Sequence, residues 1–193
     1  MKSKIILLLV IFVSFHSISR ANDISEFEVE GISVGNSLLD FLSKDEIKNN
    51  TLPYFENRRD YFIVGYFKNL NKYDQIELYL KSGDKKYIIR SIIGGVFTPN
   101  YNKCLNQKKE VVKELDQVFS NIKKISGFKS HEADVTGKSK HHIDQYNLGY
   151  PNHIRVECTN FTKEMINSGM AQNSLNIVVM SKEINDWIAG GYK

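Results

Sequence analysis

Residues 153–159 read His153-Ile154-Arg155-Val156-Glu157-Cys158-Thr159. Ile154, Val156 and Cys158 fall on one side of the chain, and His153, Arg155, Glu157 and Thr159 fall on the other. This is the two-residue period of a half-buried strand. The pattern turns Cys158 inward. The one other cysteine, Cys104, opens a stretch with helical spacing, in which Val111, Leu115, Val118, Ile122 and Ile125 recur at steps of three and four. If the two thiols are joined, that helix packs on the apolar face of this strand. An antiparallel sheet with helices on one face follows, an α+β arrangement.

Working outward, the helix is expected over 103–125 and a polar loop over 126–141. A second helix is expected at 37–49, started by Asn36 or Ser37 with Asp40 in its first turn and ended by Leu52-Pro53. Tyr61–Phe67 is apolar on both sides, as a central strand would be. In Asp74–Lys81, Ile76, Leu78 and Leu80 alternate with Gln75, Glu77, Tyr79 and Lys81. Ser82-Gly83-Asp84-Lys85 is turn chemistry, which makes Tyr87–Ile93 a hairpin partner. Further strands are expected at about 142–148, 153–161 and 174–180, before a short segment ending at Trp187. The count is about six strands with two main helices on one face. Its order of helix, three strands, helix, three strands reads as a degenerate α-β-β-β repeat. Residues 22–30 are polar and read as a loose lead-in.

The N-terminus carries Lys2 and Lys4, an apolar run from Ile5 to Phe15, and the small residues Ser19 and Ala21. A charged start, a short apolar core and a small-x-small site form a secretory signal peptide, expected over 1–21. A membrane-spanning helix needs roughly 20 apolar residues, about twice this run. The mature chain is thus expected to be one globular domain over 22–193, periplasmic or secreted and not membrane-spanning. Lys2, Lys4 and Arg20 leave with the leader, so 23 basic residues remain against 22 acidic ones. That near-balance gives no basis for a nucleic-acid partner. Two cysteines in an oxidising compartment favour a Cys104–Cys158 disulfide over a nucleophilic thiol or a metal pair.

Signatures for phosphate loops, zinc proteases, dinucleotide folds and hydrolase elbows are absent, and no cofactor is implied. Gly137-Lys138-Ser139 matches only the tail of a phosphate loop, because Glu132 stands where that motif needs glycine. No residue carries a catalytic signature. His131, His141, His142 and His153 cluster near Glu132, Asp134, Asp144 and Glu157. Imidazoles and carboxylates suit zinc or copper, which raises a metal-dependent enzyme as an alternative. The spacing fits no ligand motif, and no metal residue is assigned. Tyr79, Arg90, His153, Arg155 and Glu157 are expected on the sheet face turned away from the helices. Aromatics and arginines there suit an interface with an envelope protein partner. A small-ligand binder with its pocket between the sheet and the 103–125 helix is a further alternative.

Gly31-Ile32-Ser33-Val34-Gly35-Asn36-Ser37-Leu38-Leu39 resembles the opening of the SmpA/OmlA outer-membrane assembly lipoproteins and of the β-lactamase-inhibitor-like fold. There, a strand end leads into a short helix over an antiparallel sheet. This stretch covers less than a tenth of the chain and lacks the lipidated cysteine. More broadly, residues 27–95 resemble uncharacterised small exported proteins of AT-rich alphaproteobacteria. The resemblance implies an exported compartment and this fold type, with no activity attached.

Overall fold

The computed structural model describes residues 23–53, 60–131, 134, 136–149, 152–169 and 171–190. The expected signal peptide at 1–21 lies outside them. An antiparallel α+β architecture is present, but the expected strand and helix counts are corrected. The described residues hold an eight-stranded sheet, a separate two-stranded sheet and four α-helices.

The small sheet pairs β1 (Glu28–Val29) with β2 (Ile32–Ser33). The large sheet runs in the order β3 (Thr51–Leu52), β4 (Tyr61–Tyr66), β5 (Gln75–Lys81), β6 (Ile89–Phe97), β10 (Ser174–Met180), β9 (His153–Asn160), β8 (Lys140–Asn147) and β7 (Lys124–Ser130). Each half is therefore an up-and-down run of four strands, not three. The halves meet where β6 pairs with β10. The two strands missed by pattern reading are the two edges. β3 is only two residues long, and β7 (KISGFKS) alternates too weakly between polar and apolar side chains to stand out.

Helix α2 (Tyr101–Val118) is shorter than expected. Asn100 caps it by accepting from the Lys103 amide at 3.0 Å. It stops because Phe119 leaves helical geometry (ψ 37°) and buries its ring 5.2 Å from Phe27 and 5.1 Å from Tyr146. Residues 124–130, expected as the helix end and the start of a loop, instead pair with β8 along their whole length. The helix expected at 37–49 breaks into a 3-10 turn (Leu38–Asp40) and α1 (Lys44–Asn49), because Ser43 starts a new helix through a capping box with Glu46. Ser37 caps the first turn as anticipated. The described part of the expected lead-in, residues 23–30, is not loose, since Ile24 and Val29 are buried.

One sheet face carries the main core. Val64, Ile76, Leu78, Leu80, Ile154 and Val156 share that core with Val111 and Leu115 of α2. Cys104 and Cys158 join α2 to β9, with S–S 2.00 Å. The expectation of helices on one face only is also corrected. After α3 (Lys163–Asn167) and β10, helix α4 (Lys182–Ala189) lies on the opposite face. Its Ile184 and Trp187 pack on Tyr61, Ile63, Tyr79, Val178 and Met180. Burial of those two side chains contributes about 1.5–3 kcal/mol each, which holds the short helix down.

Candidate functional site

Coverage of the sheet is uneven, and the unevenness defines the site. β1, β2, α1 and the 3-10 turns cover one face of β4–β6, and α4 covers the other. α2 contacts β9 and β10. It reaches β8 and the start of β7 through side chains, Lys108 to Asp144, Tyr146 to Asp116 and Lys124 to Asp116, and the rest of β7 lies beyond it. Among the described residues β7 pairs with β8 alone, which leaves its outer row of backbone N–H and C=O groups as an open edge there. Phe128 in the middle of β7 is 70% exposed and Ile125 is 46% exposed. No helix among the described residues is long and apolar enough to cross a membrane.

On the α2 side, the overhang makes a groove of about 800 Å³, walled by Leu105, Lys109, Val112 and Lys113 of α2 and by His142 and Asp144 of β8. Its floor is an ion pair, Lys108 Nζ to Asp144 Oδ2 at 2.5 Å, with both side chains largely buried. Burial lowers the Lys108 ammonium pKa, and Asp144 opposes that shift. The Ser126 hydroxyl also donates to Asp144. The second acid of the groove, Asp116, accepts from Lys124 Nζ at 2.7 and 2.9 Å and from the Tyr146 hydroxyl at 2.7 Å. Lys124 chiefly holds the Asp116 carboxyl below its ordinary range. His142 stacks on Phe128 with ring centres 4.6 Å apart and planes 12° apart. Its Nδ1 is buried with no hydrogen-bond partner among the described residues. Burial, with the nearby Lys108 charge, lowers its pKa below 6.5 and favours the neutral ring.

The opposite face of the same strands is polar. Glu157 is buried, and its carboxylate meets Arg155 Nε at 2.7 Å and accepts from Asn176 Nδ2 at 3.4 Å. Burial disfavours its ionised form, but Arg155 and His141 outweigh that and keep the carboxyl below its usual range. His141 Nδ1 lies 2.9 Å from Thr159 Oγ1 and 3.7 Å from Glu157 Oε1. A hydroxyl, an imidazole and a carboxylate in a row invite comparison with a catalytic relay. That chemistry requires the nucleophile and the orienting acid to engage opposite ring nitrogens. Here both lie on the Nδ1 side, and the cluster ties His141 and Thr159 to Glu157 and Arg155.

The histidines noted in the sequence divide between the faces. His131 and His141 come together, with ring centres 4.7 Å apart, and His131 also packs 4.6 Å from Phe161. His142 lies across the sheet in the groove, as the pleat demands of adjacent strand residues. His153 is buried opposite Met180 on the α4 side. No group of three or more His, Cys, Asp or Glu side chains among the described residues is placed to hold a metal ion. Asp134 turns into its own loop, accepting from the Thr136 and Ser139 amides at 2.9 and 2.7 Å.

The five residues expected on the face away from the main helix divide as well. Tyr79 and His153 are buried, Tyr79 with the α4 cluster. Arg90 meets Glu183 of α4 and Asp84, each at 3.6 Å. Arg155 and Glu157 lie on the part that α4 leaves uncovered. The residues that sequence reasoning did not single out are those of β7, above all Phe128, together with Lys109 and Lys113. An aromatic in a polar Gly/Ser/Lys stretch between a helix and a strand was the available signal. Comparison with protein-family models, curated proteins and solved structures finds no match.

Proposed function

We propose that this chain is an exported, non-enzymatic binding module. In this reading the leader is removed after Ala21, and the protein works in the periplasm or outside the cell. It takes an envelope protein partner on the β7–β8–β9 part of its sheet. The observation that carries the reading is β7 itself: seven residues of strand paired on one side only among the described residues, with Phe128 exposed beyond the Lys124–Asp116 contact to α2. Soluble domains usually cover, shorten or twist such edges, and a retained one suits strand addition by a partner. The Cys104–Cys158 bond supports an oxidising compartment.

Site-specific photocrosslinking in cells tests the reading. A photoreactive residue at Phe128 or Arg155 should give one discrete, light-dependent adduct in the envelope or extracellular fraction. One at Lys48, an exposed position on α1, should give none. Adducts from Lys48 alone, or none from Phe128 and Arg155, would overturn it.

A further inference from the structure

We infer that the occupant of the β7 edge is an extended acidic segment of another protein, added to the sheet as a ninth strand. The inference rests on the binding-module reading and deepens it.

Charge selects the occupant. The groove's two acids are already engaged, Asp144 by Lys108 and Ser126, and Asp116 by Lys124 and Tyr146. Its exposed cations are not. Lys109 and Lys113 on α2 make no ion pair among the described residues. A strand paired with β7 sends alternate side chains to the groove side and to the opposite face. The first set meets the Lys109 and Lys113 side, and acidic residues at alternate positions answer it. Phe128 and the neutral His142 ring stacked on it supply an apolar platform beside the new strand. The same charge argues against a second copy of this chain. Pairing β7 with β7 would bring two such lysine clusters together, and like charges across an interface oppose association.

The test uses residues 22–193 and two synthetic ten-residue peptides with blocked ends. One alternates Glu with Val and the other alternates Lys with Val, and binding is followed by fluorescence anisotropy. The Glu/Val peptide should bind about tenfold or more tightly than the Lys/Val peptide, and more weakly as salt rises. The double variant Lys109→Glu/Lys113→Glu should reverse the preference while keeping its thermal midpoint. Equal binding of both peptides, absence of binding, or an unchanged preference in the double variant would overturn the inference. So would concentration-dependent dimerisation in sedimentation that Phe128→Ala abolishes. An adduct at Phe128 in cells alongside peptide indifference would sink only the acidic-strand inference. Loss of the adduct would sink the binding-module reading beneath it.

Discussion

Replacing Lys108 by Met probes the groove floor most sharply. Met matches Lys in length and helix propensity, so α2 is left intact. The Lys108 side chain is 3% exposed and that of Asp144 is 14%. Removing one partner of a buried pair strands the other, which costs about 3–5 kcal/mol. Asp144 keeps some exposure and the Ser126 hydroxyl, so about 3 kcal/mol is expected for Lys108→Met. Asp144→Leu should cost a similar amount. The double variant should lie within about 1 kcal/mol of the parent, because replacing both ions with apolar groups removes both desolvation costs. Urea unfolding with the disulfide intact measures all four species. At a slope of about 2 kcal/mol per molar, each single change moves the midpoint down by about 1.5 M, and the double change barely moves it. Additive costs in the double variant, or single variants within about 0.5 kcal/mol of the parent, would refute a coupled buried pair.

Three further outcomes follow from the same packing. Breaking the Cys104–Cys158 bond, which spans 54 residues of sequence, should lower stability by about 4 kcal/mol, read as the difference in urea midpoint with and without reductant. Gly94→Ala should cost about 1–3 kcal/mol, because its Cβ would stand 2.7 Å from the Tyr73 ring and 2.9 Å from Val29. Gly127→Ala, which meets open space, should be close to neutral by thermal melting. The folded state holds the His142 pKa below 6.5, so the unfolded chain binds the proton first as pH falls. Stability should therefore decline from about pH 6.5 down to the lowered value and stay reduced below it. His142→Gln should remove that component in urea titrations across the range.

The inner strands were legible because burial imposes an alternation that composition cannot hide. Ile76, Leu78 and Leu80, and Ile154, Val156 and Cys158, face one core, and that placement agreed with a disulfide argued separately from two cysteines in an oxidising compartment. The edges were not legible, because an edge strand has one partner and here little cover. Lys124–Ser130 forms a strand by pairing with β8, against weak local propensity, and the helical spacing running on to Ile125 disguised it. α4 left a readable trace in Ser181 followed by Ile184, Trp187 and Ile188. Its consequence, that Tyr79 is buried beneath a helix, depends on tertiary packing. Sequence proximity grouped the histidines, while the pleat and the strand order separated them.

Hydrogen exchange across residues 124–130 tests the central claim most directly, with residues 22–193 measured alone and then saturated with the alternating Glu/Val peptide. Those amides should exchange quickly in the free chain relative to β9 and β10. With the peptide bound, the outward-facing ones should slow by about tenfold or more, as an added strand requires. Protection elsewhere with β7 unchanged, or no protection at all, would contradict a partner strand on this edge.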